Sequence, residues 1–469
     1  MKQIEYFNKT DQETTVGLKR PLKITAIIAF LSCLIVILST FAPDTKIANA
    51  DTTANDNLYK LTQASDSNRA SLFAAVNADG SKIVFSSDSD FLSQGIPDGQ
   101  NEIWLYDTTA ATLQRITTAS ASNRSSTSVS INGDGTKIVF RSDSDFLNQG
   151  IPDNQFEIWL YDTTMQTFTR VTTASGGNYF SGRPHISSDG NWIAFESDSD
   201  FLSQGIPSSQ TEVWLYSVNT TNLTRLTTAS ATNRSSGGAR LNFDGSLVVF
   251  NSDSDFLSQG IPFDQPEIWL LEIGTMTLTR VTTASEAGRL SYAPDIDDSG
   301  DIIVFQSDSD FLGQGIVSGQ MEVWQYNTVS ATLNRITTAS PGLIPIADST
   351  APRVSGNGRY IVFESANDFS GQNQMGTTEI WLYDTATNNI QRITTAPDGT
   401  PGYNPTPDLN ATGSTIVFHS PVDFIGGTSQ HLPNEIWLYQ PPTSSPELLM
   451  NYTSGAPGSY FSVTGQNFP

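Results

Sequence analysis

Glu102-Ile103-Trp104-Leu105-Tyr106-Asp107 is the first of seven copies of one phrase, and Glu435-Ile436-Trp437-Leu438-Tyr439-Gln440 is the last. The tryptophans at their centres stand at 104, 159, 214, 269, 324, 381 and 437, which spaces them by 55 residues four times, then by 57 and 56. A unit repeated at a fixed interval cannot bury its own apolar faces. The copies must stack on one another, along a line or around a ring.

Around the first phrase, residues 70–117 read as four short strands. Ala70–Val76 leads through the polar turn Asn77-Ala78-Asp79-Gly80, with glycine where positive φ is needed, into Lys82–Ser87. A long loop, 88–100, precedes the third strand Glu102–Asp107, and Thr112–Thr117 makes the fourth. No helical periodicity interrupts them, so each unit is an antiparallel meander. Four strands per unit fit a propeller blade better than a solenoid rung. The spacing therefore predicts an all-β fold, a seven-bladed β-propeller of four-stranded antiparallel blades over residues 57–440.

Asn57–Thr62 matches a fourth strand but has no first three of its own. A ring accounts for it, because it can complete the seventh blade, whose other strands fall near 403–409, 415–420 and 435–440. Glu447–Asn451 competes for the same slot, and the sequence leaves that choice open.

The Asn-x-Asp-Gly turn, the Ile-Val-Phe strand and the Trp-Leu-Tyr-Asp strand leading to Arg-Ile-Thr resemble the WD-like repeats of TolB-type propellers. The resemblance covers about 57–440 and implies an exported bacterial propeller. TolB-type proteins usually carry six blades and an N-terminal domain, so their envelope role is not carried over. Residues 441–469 read as a linker and then, from Ser454, as the opening strands of an immunoglobulin-like domain of the TIG type, too short to build that core.

Residues 1–50 read as an address. Lys19, Arg20 and Lys23 precede the apolar run Ile24–Ala42, and Ala48-Asn49-Ala50 follows as a small-x-small cleavage site. The run is also long enough to span a bilayer, so an uncleaved anchor is the alternative. Either way the repeats are expected outside the cytoplasm, with membrane contact only if this segment stays attached. The single cysteine, Cys33, lies in the run, so the repeats contain no disulfide, thiolate metal site or cysteine nucleophile.

The net charge is −24, and residues 51–469 carry 18 basic against 44 acidic side chains. That excess excludes nucleic acid and anionic lipid as partners and favours solubility and divalent cations. The long loops carry Asp88 and Asp90, Asp143 and Asp145, Asp198 and Asp200, Asp253 and Asp255, Asp308 and Asp310. Paired carboxylates at i, i+2 suit calcium, but aspartates also cap loop amides, and the phenylalanine after each second Asp suits an anchor. Loop scaffolding and a calcium site are both open readings.

On the innermost strands one position varies while the copies around it hardly change: Ala75, Ser130, His185, Arg240, Asp295, Arg353, Asp408. These residues break the sevenfold symmetry near the axis. They form either an asymmetric ligand site, from His185, Arg240, Asp295, Arg353 and Asp408, or ion pairs between neighbouring blades. Three histidines without close metal-ligand spacing and no Gly-x-Ser-x-Gly elbow argue against an enzyme. The expectation is a monomeric, non-catalytic binding or scaffold ring recognising a protein, peptide or glycan through its long-loop face. The alternatives are a lyase or hydrolase with its site in the central channel, and a spacer presenting a following domain.

Overall fold

The computed structural model describes residues 57–174, 179–207, 209–339, 348–371, 377–396, 406–425 and 433–441, with the backbone alone of 447–450 and 463–466. The chain divides into two compact units, 1–47 and 48–469. The first, which holds most of the proposed address segment, lies outside the described residues, as does most of the 441–469 tail.

Seven four-stranded antiparallel sheets follow one another in sequence order. The first consists of Ser71–Val76, Lys82–Ser87, Glu102–Asp107 and Thr112–Arg115, from the axis outward. The seventh takes Asp408–Leu409, Ile416–Ser420 and Glu435–Tyr439 from the end of the repeats and Leu58–Lys60 from their beginning. Leu58 pairs with Tyr439, Tyr59 with Leu438 and Lys60 with Trp437. Glu447–Met450 pairs instead with Val463–Gln466. The N-terminal strand therefore closes the ring and covers the edge of Glu435–Tyr439.

Both faces of each blade are apolar, and each core is shared between neighbours. Val84, Ile103 and Leu105 of the first blade pack against Ile138, Phe140 and Trp159 of the second. Val417, Ile436 and Leu438 of the seventh pack against Ile83, Phe85 and Trp104 of the first. Burying such a side chain stabilises the ring by roughly 1.5–3 kcal/mol.

A polar cluster locks the outer half of each blade. Glu102 is fully buried and accepts bonds from Arg115 Nη2 (2.7 Å), Ala119 N–H (2.9 Å), Gln100 Nε2 (2.8 Å) and the Thr117 hydroxyl. Arg115 lies opposite Trp104 in the ladder, and the ring contact of Trp104 is Phe91, edge-on at 5.0 Å. The cluster recurs around Glu157, Glu212, Glu267 and Glu322. Removing one partner of a buried pair of this kind costs roughly 3–5 kcal/mol, because the other charge is left unmatched.

A second closure runs around the axis at the Asn-x-Asp-Gly turns. Backbone amides bond from turn to turn in a circle: Ala78 to Gly133, Gly133 to Ser188, Asp189 to Phe243, Phe243 to Asp298, Asp298 to Gly356, Asn357 to Ala411, and Ala411 back to Ala78. Ser188 Oγ also donates to Asp298 Oδ1 (2.8 Å), skipping the blade between them. These turns form the floor of the central channel, and the long loops surround its mouth.

Deleting residues 57–62 exposes the 435–439 edge and the seam with the first blade. The melting temperature of the deletion variant is expected to fall by several degrees, with concentration-dependent aggregation. An unchanged melting curve would show that this strand does not close the ring.

Candidate functional site

The inner strands carry an irregularity that shapes the channel wall. In six blades the register shifts within the strand, as between Leu72 and Ala75. The bulged residue has positive φ in every blade: Phe73 (54°), Ser128 (52°), Arg183 (46°), Gly238 (64°), Ala293 (50°), Ala351 (51°) and Thr406 (29°). Six of the seven are not glycine. Such backbone is disfavoured and is held by its surroundings. The result is a wall of two levels around a cavity of about 1460 Å³, the bulges near the mouth and the variable residues deeper.

The structure brings His185, Arg240, Asp295, Arg353 and Asp408 together on this wall. Four residues at this level cap the next blade. The inward amide of Ile186 bonds to Ser130 Oγ (3.4 Å), that of Leu241 to His185 Nδ1 (3.1 Å), that of Val354 to Asp295 Oδ2 (2.9 Å) and that of Val76 to Asp408 Oδ2 (3.0 Å). Ala75, Arg240 and Arg353 have no acceptor to offer at the matching places. Of the two expected ion pairs, Arg240 Nε stands 4.0 Å from Asp295 Oδ1, while Arg353 donates to the carbonyl of Pro352 (2.9 Å).

Because Nδ1 of His185 accepts a bond, its proton sits on Nε2. Burial, with the charges of Arg240 and Arg353, holds this imidazole well below the usual histidine range, so it is neutral at pH 7. Burial and the neighbouring Arg353 lower Arg240 to about 10, against the pull of Asp295 and Asp408, and it keeps its charge. Burial raises Asp408, opposed first by Arg353.

A second variable position also lines the wall, on the second strands, where the copies read Ser86, Arg141, Glu196, Asn251, Gln306, Glu364 and His419. Sequence reasoning passed over it, although the same signal, variation among near-identical copies, marks it. Some of these side chains hold the next bulge: Glu196 Oε2 accepts the Gly238 amide (3.0 Å) and Gln306 Oε1 that of Ala351 (2.9 Å). Glu364 accepts from Thr350 Oγ1 (2.8 Å), yet its Oε2 is buried without a hydrogen-bond partner. Burial raises this carboxyl to about 7, against the hydrogen bond from Thr350. Burial lowers His419 to about 4. The remaining sequence histidine, His431, lies outside the described residues.

The loop aspartates are arranged as scaffolding. Asp88 accepts the amides of Ala70 (2.7 Å) and Gly99 (3.1 Å), and Asp90 those of Gln94 (2.6 Å), Gly95 (2.7 Å) and Ile96 (3.3 Å). The same bonds recur at Asp143 and Asp145, and in part at Asp198, Asp200, Asp253, Asp255, Asp308 and Asp310. Among the described residues, no three His, Cys, Asp or Glu side chains are grouped to hold a metal ion.

No protein-family model matches the chain, and no curated protein matches it in sequence. Solved structures do resemble it. An oligogalacturonate lyase in complex with manganese is 13% identical, with a TM-score of 0.54 over 82% of this chain and 92% of that one. An oligogalacturonate lyase of Vibrio parahaemolyticus is 12% identical, with a TM-score of 0.53 over 82% of this chain and 94% of that one. A TolB-type protein of Agrobacterium tumefaciens is 14% identical over 73% of this chain and 98% of that one, at a TM-score of 0.42 on which no argument rests. At these identities the likeness shows the propeller fold.

The comparisons overturn one expectation. Three histidines without close metal-ligand spacing and the lack of a hydrolase elbow led the sequence reading to a non-catalytic ring. Yet rings that superpose over nearly their whole length are enzymes, so neither absence argues against catalysis in this fold. The manganese named for one neighbour finds no matching donor set among the described residues here, and no step is routed through a metal.

For Asp90, burial pushes the carboxyl up, but the three loop amides outweigh it and the net shift is downward; Asp145, Asp200, Asp255 and Asp310 behave alike. Their contribution to loop stability is present above the ordinary aspartate value of 3.8 and is lost as pH falls through the depressed one. Asp200→Ala is expected to lower the amide-exchange protection factors of Gln204 and Gly205 at neutral pH, and acid to lower them in the wild type. Equal exchange in variant and wild type would remove the scaffolding role.

Proposed function

We propose that the ring is a lyase acting on acidic oligosaccharides, with its site in the channel. The observation that carries this reading is the pair Arg240 and Arg353. Each replaces, at its level of the wall, the acceptor that caps the next blade elsewhere. Each thus stands beside an uncapped amide position, Ile296 or Leu409, giving a patch of donors suited to a carboxylate. The likeness to oligogalacturonate lyases supplies the substrate class to try, a chain of uronates.

The chemistry that fits is β-elimination. A base removes the proton on the carbon next to the uronate carboxylate, and that electron pair forms a C=C bond as the glycosidic C–O bond breaks. The departing oxygen takes a proton from water. Arg240 and Arg353 neutralise the carboxylate, which lowers the barrier to forming a carbanion beside it. Glu364, one bulge nearer the mouth, is the base. Its unpartnered Oε2 is free to accept, and a pKa near 7 suits proton transfer at neutral pH. The blind channel admits the chain by its end. The leader-like run after Lys19 supports action outside the cytoplasm.

Incubation with oligogalacturonate, followed by ultraviolet absorbance of the unsaturated product, tests the reading. Activity is expected to rise with pH through about 7 as Glu364 ionises. The raised pKa also favours the folded protein below the ordinary glutamate value of 4.5, and that contribution declines as pH rises toward 7. Arg240→Gln and Arg353→Gln should each lower the rate by about a hundredfold. Glu364→Gln should abolish the rise with pH. No unsaturated product from any uronate oligomer would contradict the proposal.

A further inference from the structure

Counting the basic side chains isolates a second feature. Of the 18 in residues 51–469, six arginines lie in the fourth strands: Arg115, Arg170, Arg225, Arg280, Arg335 and Arg392. Arg69, Arg124, Arg234 and Arg289 tie long loops to their blades through backbone carbonyls. Arg359 pairs with Asp384 (3.0 Å), Lys82 with Asp107 and Lys60 with Glu435 (3.9 Å), while Lys137 stands opposite Asp162 in the strand ladder. Four are left: Arg240 and Arg353 deep in the channel, and Arg141 and Arg183 on its wall at the second and third blades. A chain so strongly acidic has placed every base not needed by the blades around one cavity.

Arg141 occupies a place that the blade does not require to be basic, since its counterparts are Ser, Glu, Asn, Gln, Glu and His. Its guanidinium lies over Phe156 (4.1 Å) and near Phe180 (5.1 Å). Both aromatics are themselves exceptions among the repeats. Asn101, Thr211, Pro266 and Met321 stand where Phe156 does, and Ala70, Ser125, Ser235 and Leu290 where Phe180 does. Arg141 has no carboxylate within 4 Å, and its buried Nε has no hydrogen-bond partner. A cation desolvated without a counter-charge is costly. Burial, partly offset by the more distant Glu196 and Asp143, lowers its pKa, and Arg183 adds repulsion. Arg183 projects from the left-handed bulge, its side chain 70% exposed, with Glu196 at 3.4 Å.

We propose that Arg141 and Arg183 form a second anion subsite at the channel mouth, with Phe180 as its apolar wall, which takes the carboxylate of the next residue along an acidic chain. It rests on the reading of the channel as a uronate site, and it adds that the ligand carries at least two carboxylates on neighbouring residues. The deep pair holds the terminal residue and the mouth pair the second. Two separated anion sites explain why the symmetry of the ring is broken twice, at two radii, with arginine both times. A single-carboxylate ligand would leave Arg141 buried and unmatched in the complex as well.

The test compares galacturonate with digalacturonate by titration calorimetry on the full chain, in the Glu364→Gln background so that the dimer is not consumed. The parent is expected to bind the dimer more tightly than the monomer. Arg141→Gln should weaken the dimer by roughly tenfold or more and leave the monomer unaltered. Arg183→Ser, at an exposed side chain that tolerates replacement, should do the same and keeps the test available if Arg141→Gln fails to fold. Unchanged dimer affinity in a folded variant, an equal loss for monomer and dimer, or a parent that binds neither overturns the subsite. Selective loss of the dimer without lyase product in the active protein would keep the subsite and remove the elimination chemistry. Product formation from the dimer at the parental rate and KM in Arg141→Gln, with Glu364 restored, would do the reverse.

Discussion

A four-stranded blade with two apolar faces has no stable existence alone. Ile103 and Leu105 point to one neighbour, and Trp104 and Tyr106 to the other, so each blade supplies half of two cores. The only arrangement that leaves no half-core exposed is a ring, and three independent contacts close this one. They are the shared core between the seventh blade and the first, the ladder from Leu58–Lys60 to Trp437–Tyr439, and the circle of turn amides through Ala411 and Ala78. The channel, its floor and its mouth are consequences of that closure.

Once closed, the ring is over-determined in its outer half and permissive near the axis. The buried glutamate of the third strand, its arginine and its threonine repeat with little variation because each copy would otherwise bury an unmatched charge. The long-loop aspartates repeat because their amide bonds hold the loops. The inner strands face no further blade, so their inward side chains are free to differ. That is where His185, Arg240, Asp295, Arg353 and Asp408 accumulate, around the axis on which the inner strands converge. Convergence of unlike side chains at the axis follows from the geometry of a ring.

This division also decided what could be read from the sequence. The strands, the seven blades and the closing segment were all legible because a packing demand repeated seven times is visible as a period. The deep wall residues were legible as a break in that period. Arg141 and Glu364 carry the same signal on the second strands and were passed over, whereas the bulge at Arg183 was not legible, since a register shift turns an apparently regular strand there. A lyase or hydrolase in the channel stood only as the alternative for a related reason. Motifs bring reacting groups together within one stretch of chain, whereas a ring assembles them from positions about 55 residues apart, each of which looks unremarkable alone.

The proposed function requires Arg141, Arg183, Arg240 and Arg353 on the channel wall to bind an acidic ligand. Crystals of the Glu364→Gln variant grown with digalacturonate test it most directly. Density is expected in the channel, with one carboxylate between Arg240 and Arg353 and the other beside Arg141 against Phe180. Density confined to the long-loop rim, with the channel arginines uncontacted, would contradict it.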